Sequence, residues 1–204
     1  VRPRHAAFAG SGCLLGYNLI ADEMKDPLLR KFVETIGYEE GLKVVVDPGI
    51  IDPKEFLDEV INVRFSNPYI PDTPQRIATD TSQKVGIRFG QTIKAYAERE
   101  DLNPADLVAI PLAIATWCRY LIGIDDNGEK FTISPDPLLD TLQEILEGVS
   151  LGDTTSNVRE ILSNETIFGV NLYEVGLGEK IETMFYEMLE GKGAVRRTLE
   201  KYLA

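Results

Sequence analysis

A chain of 204 residues that is 44% hydrophobic has enough apolar material for one sizeable core, yet no apolar run approaches the roughly 18–20 residues that cross a bilayer. A net charge of −12, from 33 acidic and 21 basic residues with the bases scattered among carboxylates, argues against a nucleic-acid surface, which needs a basic stripe. Two cysteines, Cys13 and Cys118, sit far apart in apolar surroundings, so a disulfide scaffold and a CxxC site are both excluded and a reducing cytoplasm is expected.

The chain opens on Val1-Arg2-Pro3-Arg4-His5 with neither Met nor a basic-then-apolar leader, and the expectation is that another segment precedes it. Gly10-Ser11-Gly12-Cys13-Leu14-Leu15-Gly16 invites a nucleotide-binding reading. A dinucleotide fingerprint, however, needs a strand before it and the spacing GxGxxG, and here the spacing is GxGxxxG with no room for a strand. Close approach of two helices is the expected role. His5 is the only imidazole, so with two distant cysteines no zinc centre can be assembled.

Five helix starts follow, each a capping residue before proline: Asp26-Pro27, Asp52-Pro53, Thr73-Pro74, Asn103-Pro104 and Asp136-Pro137. Proline is preorganised for the first helical position, and the preceding side chain can accept from the orphan N–H groups. Apolar residues recur at helical spacing after them: Phe56, Val60 and Val63; Leu138, Leu142, Ile145, Leu146 and Val149; Ile181, Met184, Phe185, Met188 and Leu189; then Val195, Leu199 and Leu203. Only residues 42–46 and 130–133 look strand-like. The pattern predicts an all-α domain of about nine or ten helices, with loops near 47–52, 64–73, 124–136 and 150–157.

Two further stretches bear on chemistry. Asp72-Thr73-Pro74-Gln75-Arg76-Ile77-Ala78-Thr79-Asp80-Thr81-Ser82-Gln83-Lys84 places Arg76, Asp80 and Lys84 at i, i+4, i+8 if the helix begun at Pro74 continues. The ordinary reading is a solvated ion-pair ladder, worth a few tenths of a kcal/mol per pair. The functional one is a cationic clamp for a polyhydroxy or carboxylate substrate, with Asp80 orienting both cations. Trp117-Cys118-Arg119-Tyr120-Leu121 reads as core packing with a cation at a helix end, and Asp125-Asp126-Asn127-Gly128 reads as a turn, since it lacks the later glutamate of a calcium loop.

Taken together, these stretches resemble the mannitol dehydrogenase family of long-chain, metal-independent polyol dehydrogenases, which includes mannitol 2-dehydrogenase and fructuronate reductase. The resemblance rests on His5-Ala6-Ala7 through Leu15-Gly16-Tyr17, Asp26-Pro27-Leu28-Leu29-Arg30, Arg64-Phe65-Ser66-Asn67-Pro68, the 72–84 stretch, and Trp117-Cys118-Arg119-Tyr120-Leu121 with Gly123-Ile124-Asp125. It implies that residues 1–204 are a multi-helical, substrate-binding C-terminal domain of the 6-phosphogluconate dehydrogenase-like type. The N-terminal Rossmann domain, which would be its partner and would hold NAD or NADP, is absent from this chain. It implies no metal, a sugar acid or polyol as substrate, and interconversion of D-mannonate with D-fructuronate. Mannitol 2-dehydrogenase chemistry and a non-catalytic helical interaction module are the alternatives.

The family's catalytic pattern is a lysine, four residues, an asparagine, two residues and a histidine. His5 matches the histidine, the lysine position falls before Val1, and Arg2 stands where the family has asparagine. The resemblance makes Arg76 and Lys84 the substrate-contacting cations and leaves Arg119 to packing.

Overall fold

The computed structural model describes residues 3–46 and 49–204, with the side chains of residues 3–6 and of Ala9 outside the description. Arg2 therefore lies outside the described residues, and of His5 only the backbone can be placed. The regular structure of the described residues is all helix, with no strand among them; one isolated antiparallel bridge joins Ile124 to Lys130. No helix among the described residues is long and apolar enough to cross a membrane.

Thirteen α-helical segments are described, several of them short. They are α1 (Pro3–Leu14), α2 (Ile20–Glu23), α3 (Pro27–Glu34), α4 (Pro53–Glu59), α5 (Pro74–Ala78), α6 (Thr81–Val85), α7 (Gln91–Glu98), α8 (Ala109–Tyr120), α9 (Leu139–Ile145), α10 (Val158–Leu162), α11 (Glu165–Phe168), α12 (Gly178–Met188) and α13 (Ala194–Leu203). Three π-helical stretches, Thr35–Gly41, Val60–Phe65 and Gly86–Gly90, continue α3, α4 and α6. A π turn holds an extra residue and so shifts the buried face. Val63, expected in the buried stripe, is 58% exposed, and the buried face runs instead through Leu57, Ile61 and Phe65.

The local caps act as their sequences predict at four of five sites. Asp26 accepts from Leu28 N–H, Asp52 from Lys54 and Glu55, Thr73 from Arg76, and Asn103 from Ala105. The Asn103 cap opens a single 3-10 turn, Pro104–Asp106. At Asp136-Pro137 the helix begins later, at Leu139. The Asp136 carboxylate serves Leu138 N–H in the turn and is also drawn to Ser82, 54 residues away. The strand-like reading of 42–46 is not borne out: Leu42–Val44 is a 3-10 turn, and Val45 and Val46 are exposed. Residues 130–133 contribute only the bridge at Lys130 and a bond from Phe131 N–H to the Gly123 carbonyl.

At the centre runs α8, all twelve of whose residues are buried. α1 packs on it and on α5, while α12 and α13 cover another side. Gly10 and Gly12 make the α1 approach possible. A Cβ on Gly10 would lie 3.0 Å from Thr116 Cγ2 and 3.2 Å from the Thr116 backbone, and one on Gly12 would collide with Glu23 and Pro74. The glycine cluster is thus a helix-packing device, as expected. Trp117 stacks edge-on against Phe168 at 6.1 Å, and Phe8 against Phe65 at 5.0 Å.

A helix buried this deeply cannot give its first N–H groups to water. The Glu40 carboxylate, on the first π stretch, accepts all three that are available: Val108 (3.0 Å), Ala109 (2.8 Å) and Ile110 (2.9 Å). The next position is Pro111, which has no N–H, and Leu112 already bonds the Val108 carbonyl. The negative charge also faces the positive end of the helix dipole. At the other end the Arg119 guanidinium, with its side chain fully buried, donates to the carbonyls of Met188, Ile124 and Asp125. Burial lowers its pKa to about 10, against the pull of Asp126 and Asp125. Arg119 is a packing and helix-end cation, as its context predicts.

Asp126 is buried and caps α13 from a distance, accepting from Val195 (2.9 Å) and Arg196 (3.2 Å). The Asp125–Gly128 segment is a turn: Asp125 Oδ1 accepts from Asn127 and Glu129, with Gly128 at φ +81°. Both cysteines are buried free thiols whose pKa burial pushes up to about 12, with the Glu23 charge adding to the effect at Cys13.

Two predictions follow from these contacts. Glu40→Ala strands three buried donors and should cost about 3 kcal/mol in urea unfolding; a loss below about 1 kcal/mol would mean the cap is dispensable. Glu23 is fully buried, with no hydrogen-bond partner for either carboxyl oxygen among the described residues. Burial, with the Asp26 charge, raises its pKa well above the usual carboxylate value. The stability it allows is therefore complete below its unfolded pKa of about 4.3 and is lost as pH rises through the folded value. Glu23→Gln should flatten the stability–pH curve above that point, read from melting temperatures across a pH series.

Candidate functional site

The 72–84 segment is not one helix. α5 ends at Ala78; Thr79 is extended (φ −56°, ψ 133°) and Asp80 is left-handed (φ 57°, ψ 30°) before α6 begins. Asp80 is the one non-glycine residue with positive φ among those described. Such a backbone is uncommon outside glycine, though Asp tolerates it better than most, and it persists where surroundings dictate it. Here they do: Asp80 N–H donates to the Pro135 carbonyl at 2.9 Å. Asp136 holds the start of α6 by accepting from Ser82 N–H (2.8 Å) and the Ser82 hydroxyl. Ser134 fixes the α5 side, its hydroxyl donating to the Gln75 carbonyl and its N–H to the Tyr120 hydroxyl, both at 2.7 Å. A loop 50 and more residues downstream therefore sets the bend.

That bend redistributes the charges. The expected i, i+4, i+8 ladder through Asp80 does not form, because Thr79 and Asp80 leave the helix. Arg76 instead pairs with Asp72, one turn earlier, in a two-pronged contact of 2.8 Å (Nε–Oδ1) and 2.7 Å (Nη2–Oδ2). This bond raises the Arg76 pKa, and 71% of its side chain remains exposed. Asp72 is thus the orienting carboxylate for Arg76 in place of Asp80. The spacing 72–76 was present in the sequence, but a continuous helix through Asp80 masked it.

Lys84 is half-buried on α6, and its ammonium donates to the Thr79 carbonyl at the end of α5. Burial, and then the Arg88 charge, hold its pKa below the ordinary lysine value; Arg76 acts in the same direction, while Asp80 and Asp136 oppose it. Arg76 and Lys84 are therefore brought into one electrostatic neighbourhood, with Asp72, Asp80 and Asp136 as its carboxylates. Arg88 belongs to it too and was not singled out from sequence, although it stands four residues beyond Lys84. His5 lies in the first turns of α1, the helix that packs on α5 and α6, and its imidazole is outside the described side chains. The chemistry available is recognition of an anionic or polyhydroxy ligand by fixed cations.

Gly10 and Gly12 are sealed against Thr116, Glu23 and Pro74, so the glycine cluster itself offers no cradle for a pyrophosphate. Among the described residues no group of three His, Cys, Asp or Glu side chains is placed to hold a metal ion.

Comparisons with known proteins agree with this architecture. The family model for the mannitol dehydrogenase C-terminal domain matches residues 3–189. D-mannonate oxidoreductase of Thermotoga maritima is 63% identical over 204 residues, covering 98% of this chain and 38% of that protein. Mannitol 2-dehydrogenase of Aspergillus fumigatus is 29% identical over 201 residues, 98% of this chain and 37% of its own length. Among solved structures, Pseudomonas fluorescens mannitol 2-dehydrogenase, in a ternary complex with NAD and D-mannitol, superposes with a TM-score of 0.82 at 26% identity; the match covers all of this chain and 39% of that one. The chain thus spans about two-fifths of the length of these relatives. With its all-helical fold and a match over nearly its whole length, the chain belongs to the mannitol dehydrogenase C-terminal domain family.

Proposed function

We propose that residues 1–204 form the helical, substrate-binding C-terminal domain of an NAD(P)-dependent dehydrogenase that interconverts D-mannonate and D-fructuronate. The observation that carries this reading is the fixed pair Arg76 and Lys84 in a chain 63% identical to a D-mannonate oxidoreductase. A sugar acid offers hydroxyls along its length and a carboxylate at one end, which suits a cluster with more than one cation. A second reading, a neutral polyol such as mannitol, is favoured by the fit to the complex with D-mannitol.

The nicotinamide cofactor, NAD or NADP, supplies the hydride chemistry and is assigned to a Rossmann-type domain that partners this one, since the glycine cluster here is closed to phosphate. This chain's residues do the positioning. Arg76, braced by Asp72, stays charged and presents its exposed guanidinium edge to the substrate. Lys84, tied to the Thr79 carbonyl, has two remaining N–H donors for hydroxyl oxygens. Holding the carbon chain at two points converts an encounter into an oriented complex. His5, by the family resemblance, polarises the reacting oxygen, and the proton is handled by a lysine that the family pattern places before Val1, with no metal called for. The setting expected for such an enzyme, with two buried free thiols, is the cytoplasm.

The test is NADH and NADPH oxidation by the product of the full reading frame, offered D-fructuronate, D-tagaturonate and D-fructose. D-fructuronate should be turned over in preference, and Arg76→Ala should lower kcat/KM by roughly 10- to 100-fold, the loss of one charge-assisted contact. Preference for D-fructose would establish the polyol reading. An absence of turnover with all three, despite cofactor binding, would mean a non-catalytic member.

A further inference from the structure

The fold uses the backbone of Asp80 and leaves its side chain idle. The Asp80 N–H donates to the Pro135 carbonyl at 2.9 Å, and its carbonyl accepts from Gln83 N–H at 3.1 Å. The carboxylate, half-buried at the head of α6, makes no hydrogen bond or ion pair among the described residues.

The ordinary roles of an aspartate at this position are closed to it. An N-cap carboxylate would accept from the N–H groups of the first helical turn, but Asp136 already holds Ser82 there, at its N–H (2.8 Å) and its hydroxyl. A pair with Lys84, four residues on, would follow the usual helical spacing, but the ammonium donates to the Thr79 carbonyl instead. The left-handed backbone itself (φ 57°) would be met at lower cost by glycine. A charged side chain kept on a strained backbone, with no partner in the fold, has its partner outside the chain.

Lys84 says what kind of partner. Its ammonium rests on the carbonyl of Thr79, the residue bonded to Asp80, so the two charged groups lie side by side without pairing. Thr79 N–H in turn donates to the Arg76 carbonyl at 3.4 Å, which puts this pair directly after the turn that carries Arg76. A group that fits between an ammonium and a carboxylate must accept from one and donate to the other. A hydroxyl does both, whereas a substrate carboxylate would be repelled by Asp80.

We propose that Asp80 is a specificity-determining residue: with Lys84 it reads one hydroxyl of the substrate chain away from the reacting carbon, the hydroxyl accepting from the Lys84 ammonium and donating to the Asp80 carboxylate. This deepens the sugar-acid reading and rests on it. The bend imposed by Pro135 and Asp136 takes Asp80 out of the helix and so keeps its carboxylate open for that contact.

The experiment uses the full reading-frame enzyme reducing D-fructuronate, with D-mannonate and its single-deoxy analogues as inhibitors, each analogue lacking one hydroxyl other than that on the reacting carbon. For one analogue, the loss of affinity relative to D-mannonate should shrink by roughly 10-fold or more in Asp80→Gly, and for the others it should stay as in the wild type. The melting temperature of that variant should be unchanged or higher, since glycine suits the left-handed backbone. Asp80→Asn, which keeps one acceptor oxygen and tolerates the same backbone, should fall between the two. Losses unchanged for every analogue in Asp80→Gly, or in Asp80→Asn where the glycine variant melts lower, overturn the assignment beside an active wild type and leave the sugar-acid reading standing. Losses that shrink together for all analogues report a general disturbance of the site and overturn it as well. A wild type that does not reduce D-fructuronate overturns both.

Discussion

The bond set between Glu40 and the start of α8 is the contact on which the remaining packing depends. α8 is enclosed by other helices on every side, so its polar ends are the one obstacle to burying it. An uncapped N-terminus there would leave several N–H groups in an apolar core, each costing about 1–3 kcal/mol. Glu40 removes that cost with one carboxylate. The Tyr96 hydroxyl, on α7, bonds the Glu40 carbonyl at 2.7 Å and ties a third element to the same residue. Once α8 is satisfied at Glu40 and at Arg119, α1, α12 and α13 can close on it, and α1 brings α5 with it.

The same device recurs at two other joints. Asp126 caps α13 and Asp136 caps α6, in each case from far along the chain. Part of the acidic surplus is thus structural, placed where helix dipoles face inward. It also explains why the cations do not sit in a generally basic surface: Arg76 and Lys84 are local exceptions whose placement depends on Asp72 and on the loop around Asp136.

The local features of this fold are legible in its sequence, and the distant ones are not. The caps at Asp26, Asp52 and Thr73 are written within three residues of the groups they serve, and the stripes at 181–189 and 195–203 follow an undisturbed period. The long-range caps are different. Glu40 looks like any surface glutamate until α8, 68 residues on, is placed beside it. The break at Asp80 had no glycine or proline to announce it, because it is imposed by Pro135 and Asp136. With the break went the partner of Arg76, which is Asp72. Residues 42–46 have the β-branched composition of a strand but no neighbouring strand to pair with, and without a partner the preference for a pleated surface has nothing to act on.

On the helical run from α6 to α7, Gly86 and Gly90, where an added Cβ would lie 2.5 Å and 1.8 Å from the carbonyl oxygens of Ile167 and Phe168, have a meaning for how such a domain could diversify. Where side chains interlock, changing an exposed residue often shifts its helix and disturbs its neighbours. Here the backbone itself is the fixed contact, so the outward residues of the run are mechanically insulated from the core. A lineage could exchange the outward-facing amino acids of this run without renegotiating the fold beneath them. Two residues with no side chain would then give the domain a helix whose outer face is free to vary.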